Sequence, residues 1–122
     1  MKRNIYILII SCLINKIIIN KMNEETVFIQ IFGSSPIMKV IDFLMTFQLF
    51  DYPLTEIAKN SGVSYSTLQN FWDNLERNNI VVKTRRVGKS DLFKLNTNNP
   101  AVKQLIKLDW NLVKGAEEEV LV

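Results

Sequence analysis

The chain has 122 residues, enough for one small domain that buries its own core without covalent staples. It holds no His and a single Cys, Cys12, which excludes a zinc site of the His/Cys type, a His-based catalytic centre and an internal disulfide. The net charge of +3 is an end effect: Lys2, Arg3, Lys16 and Lys21 face no acid in residues 1–21, and the other 11 of the 15 basic groups meet all 12 acidic ones.

Residues 1–21 differ from the rest of the chain. They are dominated by Ile, Asn and Lys, and the apolar run from Ile5 to Ile19 is broken by Asn15 and Lys16. A membrane-crossing helix needs roughly 20 mainly apolar residues, so this is a poor span and no membrane partner is expected. Lys2-Arg3 ahead of Ile5 to Ile10, with Ser11-Cys12 behind, resembles an export signal with a lipoprotein cleavage box only superficially, because the apolar core is six residues long. The expectation is an apolar N-terminal extension over 1–21, either an over-extended gene start or a loosely attached arm, and a domain over 22–122.

Val27, Phe28, Ile29, Ile31 and Phe32 form a packed segment after the polar opening at Met22. Ser34-Ser35-Pro36 then offers a helix cap with Pro at the first position, and Ile37, Val40, Ile41 and Leu44 follow at helical spacing to about Phe47. Pro53 disfavours helix at Tyr52, so Tyr52 to Leu54 reads as a brief edge strand, after which Thr55 is placed to cap a short helix over Glu56 to Asn60.

The run from Thr55 to Trp72 carries the strongest pattern. Two helices meeting near a right angle need a small residue at their approach, a turn residue that tolerates positive φ, and apolar residues on the facing sides. Ala58, Gly62, Val63, Leu68 and Phe71 occupy those offsets, and Ser64 is placed to cap the second helix. With Leu68, Phe71 or Trp72, and Leu75 turned inward, the opposite face presents Tyr65, Ser66, Gln69, Asn70 and Asp73. Gln and Asn can pair bidentately with an adenine edge, and Ser and Tyr can reach bases or phosphates.

Asn79 is a suitable positive-φ terminator for that helix. Ile80 to Val87 is strand-like, Gly88 to Asp91 turns the chain, and Leu92 to Leu95 returns. Between Lys83 and Lys94 five cations stand against Asp91 alone, a net +4 in twelve residues. Regular alternation puts Val82, Thr84 and Arg86 on one side and Val81, Lys83 and Arg85 on the other, so one basic set can reach a polyanion. Beyond Asn96 to Asn99, Pro100 opens a helix whose Val102, Leu105, Ile106, Leu108, Leu112 and Val113 cover more than one face, which implies a second chain as cover. Glu117-Glu118-Glu119 reads as a solvated end.

From Phe32 to about Glu119 the sequence resembles the winged helix-turn-helix regulators of archaea and bacteria, in the broad MarR-like and TrmB-like group. The likeness rests on Phe32-Gly33-Ser34-Ser35-Pro36, Phe50-Asp51-Tyr52, Thr55-Glu56-Ile57-Ala58, Ser61-Gly62-Val63-Ser64, Thr67-Leu68, Leu75, Ile80-Val81, Thr84-Arg85, Val87-Gly88, Leu92 to Asn96 and Asn99-Pro100. It implies a mainly α fold with a small antiparallel sheet: a three-helix core, a two- or three-stranded wing and an additional C-terminal helix. It further implies sequence-selective binding of double-stranded DNA by a cytoplasmic homodimer. Members often carry Arg or Lys on the recognition helix and Gly before the strand; here the helix face is neutral and Asn79 replaces the Gly.

The expected function is transcriptional regulation, with the recognition helix over about 64–78 in the major groove and the wing over 83–94 on the backbone. Tyr65, Ser66, Gln69 and Asn70 are the expected base readers. Ser64, Thr67, Lys59, Arg85, Arg86 and Lys89 are the expected backbone contacts. The alternative is a winged helix used for protein contact in a transcription or repair assembly. Enzymatic activity is not expected, for there is no Gly-rich phosphate loop and no recognisable acid pair; no cofactor or metal is expected either.

Overall fold

The computed structural model describes residues 25–121. The N-terminal extension expected over 1–21 and the side chains of Glu117 to Glu119 lie outside the described part of the chain. The elements are α1 (Val27–Phe32), α2 (Pro36–Thr46), β1 (Tyr52–Pro53), α3 (Leu54–Ser61), α4 (Tyr65–Arg77), β2 (Val81–Val87), β3 (Ser90–Leu95) and α5 (Pro100–Leu121). The fold is mainly α with one small antiparallel sheet, as the sequence leads one to expect.

Local chemistry accounts for most boundaries. Thr26 caps α1, its hydroxyl accepting from the Ile29 amide, and Gly33 at φ 91 ends that helix. Pro36 opens α2 behind Ser35, whose side chain makes no capping bond. Pro53, not Thr55, occupies the cap position of α3: its extended backbone turns directly into Leu54, and Thr55 falls inside the first turn. Gly62 closes α3 in the left-handed region at φ 70, with its amide donating to the carbonyls of Ala58 and Lys59. Asn79, at φ 58, is the only positive-φ residue other than glycine among those described.

The core joins all the helices to the sheet. Val40, Ile41, Leu44 and Met45 of α2 pack with Ile57 and Ala58 of α3, Leu68, Trp72 and Leu75 of α4, Val81, Phe93 and Leu95 of the sheet, and Val102 of α5. Phe28 and Ile29 extend it through α1, which lies against both α2 and α5. Val27 to Phe32 is thus a short helix with one buried face, while Ile31 and Phe32 remain exposed.

The sheet order is β1-β3-β2. Tyr52 pairs with Phe93 and Pro53 with Leu92, so the proline sits on an edge strand where its missing N–H costs no ladder bond. The β2–β3 hairpin runs from Val81 opposite Leu95 to Val87 opposite Ser90. Its turn is tighter than expected: Gly88 and Lys89 alone connect the strands, Gly88 at φ 62.

Candidate nucleic-acid interface

Helix α4 is set by its first turn. Ser64 is extended at its cap, its Oγ accepting from the Thr67 amide at 3.2 Å, while its own hydroxyl donates to Thr67 Oγ1 at 2.7 Å. Ser66 Oγ lies 3.4 Å from the Ser64 hydroxyl. These hydroxyls satisfy the helix start and one another, so Ser64 and Thr67 serve first as the cap.

The buried side of α4 is Leu68, Trp72 and Leu75, with Phe71 only half-buried. At 100° per residue the direction opposite that stripe falls on Ser66, Asn70, Asp73 and Arg77, flanked by Gln69 and Asn74, all of them exposed. Tyr65 is exposed at the helix start. Asn74 and Arg77 extend this face beyond the residues named from the sequence, which stop at Asp73, although the same periodicity reaches them. Trp72 stacks edge-on against Phe93, centroids 5.3 Å apart and planes at 80°, and this fixes α4 against the central strand of the wing.

The wing departs from regular alternation. Lys83 pairs with Phe93 and Arg85 with Leu92, leaving Thr84 as an extra residue in β2. Such a bulge re-aims the side chains beside it. Phe93 and Leu92 point to opposite faces, so Lys83 and Arg85 do as well, which corrects the expectation that they share a side.

The bulge also delivers Thr84 and Arg85 to one acceptor. Asp51, just ahead of β1, takes a 2.6 Å bond from Thr84 Oγ1, a 3.0 Å bond from Arg85 Nε and a 3.2 Å bond from the terminal guanidinium nitrogen. Thr84 Oγ1 also lies 3.2 Å from the Leu92 carbonyl. The Arg85 guanidinium, followed by the Thr84 hydroxyl, holds the Asp51 carboxyl below the ordinary carboxylate range, and Asp51 raises Arg85 in turn. Arg85 is therefore the tie between the wing and the loop after α2 before it is a contact for any ligand. Lys83 stands 3.9 Å from the Oδ1 of Asp91, the lysine mostly in solvent and the aspartate half-buried, a separation too long for a hydrogen bond.

With Asp51 included, five cations of the wing face two carboxylates, a net +3 rather than +4. Arg86 and Lys89 are exposed beside and within the turn. Lys59 lies apart, in the last turn of α3, where it lines a cleft of about 470 Å³ together with Thr26, Ile29, Lys39, Asp42 and Phe43. The structure thus gathers Tyr65, Ser66, Gln69 and Asn70 on one helix and Arg86 and Lys89 on the hairpin.

A knot of asparagines joins the far end of α4 to the start of α5. Asn99 Nδ2 donates to the carbonyls of Asn78 at 3.3 Å and Asn79 at 2.9 Å, and Asn96 Nδ2 donates to Asn79 at 3.0 Å. Asn99 Oδ1 accepts from the Ala101 amide at 2.9 Å, which starts α5. Sequence reasoning identified Asn79 as a helix terminator but not this cross-link, whose signal is the Asn-rich pair of segments 78–79 and 96–99.

Among the described residues no group of three or more His, Cys, Asp or Glu could hold a metal ion, and no helix is long and apolar enough to cross a membrane. No protein-family model matches the sequence, and no curated protein sequence does.

Solved structures do resemble the fold. MepR, a transcription regulator of the Staphylococcus aureus multidrug efflux pump MepA, superposes with a TM-score of 0.52 at 17% identity, over 67% of this chain and 58% of MepR. The antimony-specific transcriptional repressor AntR superposes with a TM-score of 0.50 at 19% identity, over 66% of this chain and 68% of AntR. The match therefore spans less than two thirds of MepR. At such identities the likeness is one of architecture, and the architecture is the winged helix-turn-helix fold of these transcription regulators.

Proposed function

We propose that this protein binds duplex DNA with sequence selectivity as a cytoplasmic transcriptional regulator, α4 entering the major groove and the β2–β3 wing lying on the adjacent backbone. The observation that carries this reading is the pairing of an exposed polar helix face, Tyr65, Ser66, Gln69 and Asn70, with a cationic hairpin packed to it through Trp72 and Phe93. The fold shared with MepR and AntR, both named as transcription regulators, supports it. Arg86, Lys89 and Lys59 supply the attraction to phosphate; Arg85 contributes by holding the wing in place through Asp51.

A homodimer completes the proposal. Ile31, Phe32 and Leu108 are exposed on α1 and α5, helices that pack together, and a second copy over these residues would set two recognition helices against two half-sites. The test is retention of the full chain on a random-sequence duplex at low salt, with sedimentation run in parallel. Retention that weakens on every sequence when Arg86 and Lys89 become Ala, by a species of twice the chain mass, is the expected result. Retention unaffected by those changes removes the wing from the interface, and a monomer well above micromolar concentration removes the dimer.

A further inference from the structure

We infer that the face of α4 reads a half-site of A·T pairs, with adenine in the strand that Gln69 and Asn70 address, and that it selects against guanine there. This rests on the proposed DNA-binding role of the same face and adds the class of sequence bound.

The outward stripe of α4 holds Ser66, Asn70 and Asp73, with Gln69 beside it, and its one cation, Arg77, stands in the last turn. In helix-turn-helix docking the first turns of the recognition helix approach the base edges, so Arg77 lies farthest from them. Guanine offers two acceptors, N7 and O6, in the major groove and is best met by the paired donors of Arg or Lys. No side chain in the first three turns of α4 has that fork.

A carboxamide presents one acceptor and one donor group side by side. That pattern complements the N6 amino group and N7 of adenine, whereas against guanine its oxygen faces O6 or N7 with no proton between them. Asp73 adds to the selection against guanine in the addressed strand without separating adenine from cytosine, since an ionised carboxylate only accepts. It can meet the exocyclic amino group of adenine or cytosine and is repelled by the acceptor edge of guanine and by O4 of thymine. The ring of Tyr65, exposed at the helix start, suits the C5-methyl group of thymine. Every uncommitted group in these turns thus favours an A·T pair or tolerates one, and two kinds of group, carboxamide and carboxylate, oppose guanine.

The experiment is selection by the full-length protein from a duplex library with a random core of about 20 bp, sequenced after each round. Enriched sites carrying adenine at the helix-contacted positions are expected. Replacing those adenines by 7-deazaadenine, which removes the N7 acceptor, is expected to weaken binding roughly tenfold. Asn70→Arg, at an exposed position that leaves the core intact, is expected to move the preference at one position to guanine. Guanine enriched at those positions by the unaltered protein, or no enrichment above bulk retention, overturns the inference while leaving duplex binding in place. No retention of any duplex overturns this inference and the proposed function together.

Discussion

Replacing Arg86 and Lys89 together by Ala tests the division of labour between helix and wing. Among the described residues the exposed cations assigned to phosphate, without a bond to a carboxylate, are Lys59, Arg86 and Lys89. Each neutralised phosphate contributes about 0.9 to the slope of log affinity against log salt, so three per protomer in a dimer give a slope of about −5 and a loss of about a thousandfold between 50 and 200 mM salt. The double variant keeps only Lys59, and its slope should fall to about −2, a loss of about tenfold over the same range. Arg85→Ala should leave the slope nearly unchanged, because its guanidinium is already neutralised by Asp51 at 3.0 and 3.2 Å. Fluorescence anisotropy of a labelled duplex across a salt series provides the slopes. A slope that does not move in the double variant, or one that falls as far in Arg85→Ala, refutes the assignment of phosphate contacts.

Three further outcomes concern the scaffold. Leu68→Ala removes a fully buried side chain from the helix-turn-helix core and should cost about 2–5 kcal/mol in urea unfolding, with an unchanged m-value. Gly62→Ala meets no heavy atom within 4 Å, so its cost of about 1–2 kcal/mol should be purely that of a side chain at φ 70, and Gly62→Asn should recover part of it. Because the Asp51 carboxyl titrates lower folded than unfolded, its stabilising contribution is complete above the ordinary carboxylate value and is lost as pH falls through that value toward the folded one. Melting of Asp51→Asn should accordingly show a shallower loss of stability than the parent over that acidic range.

The elements that could be read from the sequence were those bounded by residues with one strong conformational preference. Gly62, Ser64, Pro36 and Asn79 each constrain the backbone within a few residues, and α2, α4 and the hairpin lie where those constraints put them. The start of α3 was displaced because two local signals compete there, and the ring of Pro53 outweighs the hydroxyl of Thr55. Val27 to Phe32 gave no helical period in so short a run; the Thr26 cap, the Gly33 stop and packing against α2 and α5 together define it. In the candidate site the exposed residues of α4 followed from periodicity. The fate of Arg85 did not, since a bulge at Thr84 and an acceptor 34 residues away are tertiary facts.

The bulge in β2 has a second consequence, for solubility. Among the described residues β2 is hydrogen-bonded only to β3, so its outer edge offers unpaired amides and carbonyls to any other extended chain. An uninterrupted strand of Val81, Val82 and Val87 would be a template for edge-to-edge association. The extra residue at Thr84 breaks the regular spacing that such pairing requires, and Lys83 and Arg86 place like charges along the edge that an identical copy would have to approach. The hairpin can therefore project from the domain while two hairpins repel one another.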